Sequence, residues 1–294
     1  MKNSILIKTK ELCIPFIQVW NMIKAPMGYS LFIIAISYGL WHAPSELWEL
    51  QLQWLLLSLA VIFVMFIFQL WQVTIFLKAH NKSPHWFYPA LFNARRGFFN
   101  TVFPGRTGTI LLLHNLMRHY AVSWQNFLYF FFIASLVSIY ISIIALIWLI
   151  FPWGYSAIML IASFCVSLYI PQLLAVRYAS CIPTLILIAL GLYICTVTAF
   201  YCLLRGLGYE LSLIEVSHFA VVLNALAQVS ITPGNIGVRE VVIGVISPYV
   251  TLPISVGIIA SSLLLILRLT VYGALWAIFE WAAKRGDNNN ASSA

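Results

Sequence analysis

SITPGNIGVRE, residues 230–240, places a proline, two glycines and an adjacent Arg-Glu pair inside a long apolar region. A second stretch, NTVFPGRTGT at 100–109, repeats its PGxxG pattern: Pro104-Gly105-x-x-Gly108 against Pro233-Gly234-x-x-Gly237. With 12 Pro and 15 Gly in 294 residues, chance predicts about 0.03 copies of that pattern, so two copies point to an internal duplication. Proline removes a backbone donor and glycine frees the backbone, so each stretch breaks a helix. The fold turns on what surrounds the breaks.

The surroundings are those of a membrane protein. Hydrophobic residues make up 62% of the chain and charged residues only 8%, against roughly 25% charged in soluble domains. Apolar runs span 25–43, 54–77, 124–150, 154–174, 181–204 and 253–281. Runs of that length cross a hydrocarbon layer of about 30 Å as helices. FLYFFFIASLVSIYISIIALIWLIF (127–151) is apolar on every face, which excludes the alternation of a barrel strand. Regions 86–118 and 214–249 are also long enough to enter a membrane, but each is broken centrally and reads as a re-entrant helical hairpin. The expected fold is an all-α integral membrane protein with six full spans and two re-entrant hairpins. It forms one polytopic domain over 25–282, after a cytoplasmic segment at 1–24 and before a disordered tail at 283–294. The first 24 residues lack the compact apolar core of a removed leader, and no soluble catalytic domain is expected.

Three full spans separate the two breaks, an odd number that sets the hairpins on opposite faces and makes the repeat an inverted one. Charge supports this, since Lys and Arg of short loops gather on the cytoplasmic side. With the N-terminus inside, Lys2, Lys8, Lys10, Lys24, Lys78, Lys82, Arg95, Arg96, Arg118, Arg177, Lys284 and Arg285 are all cytoplasmic. The outer loops then hold Arg205 with Glu46, Glu49, Glu210 and Glu215. The expected location is the cytoplasmic (inner) membrane, with both termini inside.

Three arginines and one acid sit at the centre of this arrangement: Arg106 in the first break, Arg239 and Glu240 after the second, and Arg268 halfway along the last span. A charge near the bilayer centre costs at least about 2.5 kcal/mol on insertion scales, so it needs a partner or a wet cavity. Broken helix ends also expose N–H groups and a positive dipole end that suit an anion. The expected substrate site therefore comprises Arg106, Arg239, Glu240 and Arg268 with the breaks Pro104, Gly105, Gly108, Pro233, Gly234, Asn235 and Gly237. Three positives against one negative leave an excess that an anionic ligand neutralises. The structural alternatives are an Arg239–Glu240 or Arg268–Glu240 pair that serves packing alone, and an Arg106 that only anchors a hairpin tip. Arg95, Arg96 and Arg118 read as contacts to anionic headgroups at the inner surface, and His218 as a packing residue of the second hairpin. Cys13, Cys165, Cys181, Cys195 and Cys202 show no CxxC spacing, so neither a disulfide framework nor a metal site is expected. No GxxxxGK[ST] motif is present, and no cofactor is expected.

ITPGNIGVREVVIGVIS, with the later LLLILRLTVYG, resembles the signature of the lysylphosphatidylglycerol synthase transmembrane region, PGGxGxRE followed by a helix carrying an arginine. VFPGRTGTILLLHNLMRHYAVS resembles that family's LPGRxGE element, and the likeness runs over most of 50–281. It implies two re-entrant hairpins around a lipid-sized cavity and a flippase that carries aminoacylated phosphatidylglycerol between leaflets. Thr109 stands where the family has Glu, Leu112 where an arginine often follows, and Asn235 in place of a glycine. The family's soluble acyltransferase-like domain has no counterpart here, so the chain is not expected to be that synthase on its own.

These readings converge on transport of an anionic or polar-headed lipid: a phospholipid, an aminoacyl-phosphatidylglycerol or a polyprenyl-linked lipid. Two alternatives stay open, a membrane transferase with Glu240 as base and an accessory subunit of a lipid or glycan biosynthetic enzyme. A membrane lipid and a partner lipid-biosynthetic enzyme are the expected partners, homo-oligomers are compatible, and nucleic acid is not expected. The odd number of crossings has a direct test in a cysteine-free background. Lys82→Cys and Gly208→Cys should label from opposite faces of the membrane, and labelling from one face would remove the inverted arrangement.

Overall fold

The computed structural model describes residues 26–44, 51–103, 106–150, 178–228, 232 and 235–291, with side chains described as far as 285. Expectations for the N-terminal segment, the 154–174 span, Pro104, Gly105, Pro233 and Gly234 lie outside these residues. The described residues are helical with no strand. The helices are α1 (Pro26–Trp41), α2 (Leu52–Lys78), α3 (Phe87–Val102), α4 (Thr107–Tyr120), α5 (Trp124–Ile150), α6 (Ile182–Gly206), α7 (Leu213–Gln228), α8 (Val238–Ile246) and α9 (Ile254–Ala291).

Among the described residues, four helical segments are long and apolar enough to cross a membrane: Leu52–Lys78, Trp124–Ile150, Ala179–Gly206 and Ile254–Arg285. They mark a multi-pass membrane protein. Phe132, Ile143, Leu187 and Ile266 point outward and exposed, an arrangement suited to hydrocarbon rather than water. Among the described residues, the first expected span ends at Trp41, two residues short of 43. The final helix instead runs past 283, through part of the tail expected to be disordered.

Antiparallel packing of α2 on α6 forms the trunk. Gln51 N–H donates to Gly206 O (3.1 Å), Ser58 Oγ to Ala199 O (3.3 Å), and the Phe68 ring lies over Gly191. Small residues at these crossings let two backbones approach, the usual source of attraction between helices when the solvent is itself apolar. The α9 helix packs on α3, where Tyr272 lies so close to Gly97 that a Cβ there would sit 2.0 Å from the ring.

Both sequence breaks fall between short helices. The α3 and α4 helices form a closed antiparallel hairpin: His119 stacks on Tyr88 and Phe92, and Gly108 sits against Arg96 and Asn100 near the tip. A Cβ on Gly108 would lie 2.1 Å from Arg96 O, so only glycine permits the approach. Ser212 caps the far end of α7, with its N–H and hydroxyl donating to Glu215 (2.7 and 2.8 Å). Those bonds hold the Glu215 carboxyl below its ordinary range.

Two apolar clusters result. One gathers Leu91, Phe92, Leu112 and Leu116 of the first hairpin with Phe76, Phe127 and Phe130. The other gathers Val216, Phe219 and Ile243 around the second break with Ile62, Phe200 and Val256. Trp276 and Phe279 of α9 touch both clusters.

Gly237 and Gly208 separate steric fit from backbone strain. Both have positive φ (81° and 85°), but a Cβ at Gly237 meets Gly28 O of α1 at 2.4 Å whereas Gly208 has open space. Gly208→Ala should cost about 1 kcal/mol in thermal unfolding of the detergent-solubilised protein. Gly237→Ala should cost about 1–3 kcal/mol more through overpacking. Equal losses would show that α1 does not seat against the second break.

Candidate functional site

A helix break leaves backbone groups without intrahelical partners, and each described broken end here finds a polar one. At the start of α4, Asn100 reaches across from α3: its Oδ1 accepts from Thr109 N–H (2.9 Å) and its Nδ2 donates to Thr109 Oγ1 (3.0 Å). Thr109 therefore closes the first hairpin with a neutral pair. At the start of α8, Glu240 Oε2 accepts from Gly237 N–H (2.7 Å). At the end of α7, the carbonyls are taken by two residues from the breaks. Asn235, in the left-handed region at φ 55°, donates its Nδ2 to Leu226 O. Arg106, also left-handed at φ 57°, donates to Gln228 O (2.5 Å) and Ala227 O (3.5 Å). The tip of the first hairpin is thus tied to the edge of the second break.

Arg239 is committed within the protein. Its Nη2 donates to Glu240 Oε1 (2.7 Å) and Ser261 O (3.0 Å), and its Nε to Ser261 Oγ (3.1 Å). Arg239 is 5% exposed and Glu240 0%, so the pair is a buried, hydrogen-bonded clamp between α8 and the first turns of α9. Glu240 serves both as helix cap and as counter-ion. Arg268 pairs with no carboxylate among the described residues.

Arg268 lines a cavity of about 300 Å³ walled by α2, α3, α4, α5, α6, α7 and α9 and the residues of the two breaks. The cavity lies at the seam of the two apolar clusters, taking Leu185 from one and Met65 from the other. Arg106 and Asn235 from the expected site also line it, as do Asn100, Asn224 and Gln228. A smaller space of about 60 Å³ shares Asn224, Asn235 and Arg268 with it and reaches Arg239. Gly108 and Gly237 shape the backbone close by but line neither space. His218 lies outside the cavity wall, its Nδ1 3.0 Å from Ile214 O in its own helix.

Arg96 was missed by the sequence reading. It was expected at headgroups on the inner surface beside Arg95, yet adjacent residues on a helix face about 100° apart and the two part company. Arg95 forms an ion pair with Glu280 of α9. Arg96 turns onto the cavity wall, sets its guanidinium 5.1 Å from the centre of the Phe131 ring, and keeps its buried Nη1 without a hydrogen-bond partner. Tyr272 joins the two cavity arginines: it lies one turn from Arg268 on α9, beside Gly97, within electrostatic reach of Arg96, and donates its hydroxyl to Gln69 (2.9 Å). Of these, the Arg95-Arg96 doublet and the QLWQ run over Gln69 and Gln72 were the only sequence signals, and both needed α9 beside them to be read.

Comparison with family models, curated proteins and solved structures yields no match, so the site stands on its own geometry. Among the described residues, no group of His, Cys, Asp and Glu is arranged to hold a metal.

The Arg239–Glu240 clamp makes a directional prediction. Removing the acid leaves a buried guanidinium uncompensated, so Glu240→Ala should cost about 3–5 kcal/mol in detergent unfolding. Arg106→Ala at the exposed tip should cost about 1 kcal/mol or less. The reverse ranking would mean the hairpin link, not the clamp, holds the two breaks in place.

Proposed function

We propose that this protein moves a lipid with an anionic headgroup between the leaflets of the cytoplasmic membrane. One observation carries the reading: a polar cavity, walled by Arg96, Arg106 and Arg268, within a largely apolar bundle. A guanidinium held away from water needs a counter-charge, and a phosphate supplies it with matching fork geometry. At about 300 Å³ the cavity sits at the small end of ligand pockets, a size for a headgroup and not for acyl chains. The tails therefore stay in the hydrocarbon while the head passes.

In this reading the α3–α4 pair is a re-entrant hairpin, and the α7–break–α8 segment is its inverted counterpart. Six spans surround them, with both termini cytoplasmic. The headgroup enters between the breaks, Arg96 and Arg268 neutralise its phosphate, and the hairpins part on alternate sides. Arg106 holds the hairpins together through Gln228 O and exchanges that acceptor for the phosphate. The PGxxG pair and Arg268 support kinship with the flippase-like membrane region that the sequence resembles. Glu240, bonded to Gly237 N–H and Arg239, is unsuited to act as a transferase base, because both its oxygens are engaged in a buried clamp.

Reconstitution in liposomes with headgroup-labelled anionic phospholipids tests the proposal. Leaflet exchange should exceed that of protein-free vesicles, and Arg96→Ala and Arg268→Ala should each slow it at least about tenfold, the loss of one charge-assisted contact. Arg205→Ala, whose parent side chain pairs with Glu210 away from the cavity, should leave it unchanged. Exchange that survives both cavity substitutions would reject the site. Product formation without exchange would favour a transferase, and neither activity an accessory subunit.

A further inference from the structure

The acidic residues determine what kind of anion the cavity accepts. The chain has eight. Among those with described side chains, Glu210 pairs with Arg205, Glu280 with Arg95 and Glu240 with Arg239, while Glu215 bonds Ser212. None of them lines the larger cavity. The undescribed stretches nearest the breaks, 104–105, 229–231 and 233–234, contain no acid, and neither does 151–177. Among the described residues, the cavity wall therefore carries three guanidiniums, from Arg96, Arg106 and Arg268, against no carboxylate, and its other polar groups are neutral. Thr109 is one of these neutral groups, its hydroxyl bonded to Asn100.

From this balance we infer that the cavity selects a headgroup bearing at least two negative charges on phosphate, a phosphomonoester or a diphosphate. The inference deepens the reading of an anionic-lipid transporter and rests on it. A phosphodiester contributes one negative charge against the sheltered guanidiniums of Arg96 and Arg268 and leaves one of them, besides the exposed Arg106, uncompensated. A zwitterionic head compensates none, and an aminoacylated head with a net positive charge adds to the excess. A phosphomonoester or diphosphate neutralises two or three. Its several oxygens also give separate acceptors to Arg96 Nη1, which is buried without a partner, and to Arg268, one turn from Tyr272. Lipid heads and soluble phosphates share this chemistry.

Binding to the purified full chain in neutral detergent, read as thermal stabilisation and by titration, distinguishes the sources. The probes are phosphatidic acid, phosphatidylglycerol and phosphatidylcholine in mixed micelles, with inorganic phosphate and diphosphate in solution. Phosphatidic acid should bind at least about tenfold more tightly than phosphatidylglycerol, a ratio equal to one uncompensated charge contact. Its binding should weaken as pH falls through about 6, where a phosphomonoester takes up its second proton, while that of phosphatidylglycerol stays level. Thr109→Glu, which puts a carboxylate on the wall, should narrow the ratio. Arg268→Lys, which keeps the charge, should retain more of the preference than Arg268→Gln. Equal binding of phosphatidic acid and phosphatidylglycerol would overturn the selectivity while leaving the anionic-lipid reading intact. Binding of diphosphate without phosphatidic acid would support the polyanion site but overturn the lipid reading. Binding of none would overturn both.

Discussion

A helix interrupted in apolar surroundings strands backbone N–H and C=O groups that no water can reach, and this protein is organised around satisfying them. Asn100 caps α4 from the neighbouring helix, Glu240 caps α8, and Asn235 and Arg106 take the last carbonyls of α7. Each partner is a side chain of a break or its flanking turn, so the two breaks are mutually dependent. Polar groups brought in to satisfy the backbone also define the polar cavity, since Asn100, Asn235 and Arg106 belong to both. The cavity thus follows from the solution to a hydrogen-bonding constraint.

The four arginines near the breaks divide by what their neighbours leave them. Arg239 is held by Glu240 and Ser261 through Nε and Nη2 and acts as a clamp between α8 and α9. Arg106 donates to carbonyls through Nη2, at an exposed tip where the bonds can exchange. Arg96 and Arg268 keep capacity toward the cavity. A buried pair missing one partner costs several kcal/mol, which makes the first arginine a stability residue and the last two candidates for ligand contact.

Glycine sets the distances on which this division depends. Gly97 admits the Tyr272 ring next to Arg96, Gly108 lets α4 touch the α3 backbone, and Gly237 seats the second break against Gly28 of α1. The PGxxG pattern pointed to the last two through its spacing. Gly97 carried no pattern, because its role depends on a ring 175 positions away in sequence.

The sequence by itself determined an all-helical membrane protein, two helix breaks with one PGxxG pattern, and the arginines that flank them. These follow from composition, run length and the local chemistry of proline and glycine, which act within a few residues. Tertiary structure decided which arginines face the cavity. Glu240 lies next to Arg239 in sequence, but only the approach of Ser261 ties that side chain to α9. Arg95 and Arg96 are indistinguishable neighbours until α9 takes one into an ion pair and leaves the other on the cavity wall. Charge count is a property of the chain, whereas charge compensation depends on distances between helices that only packing sets.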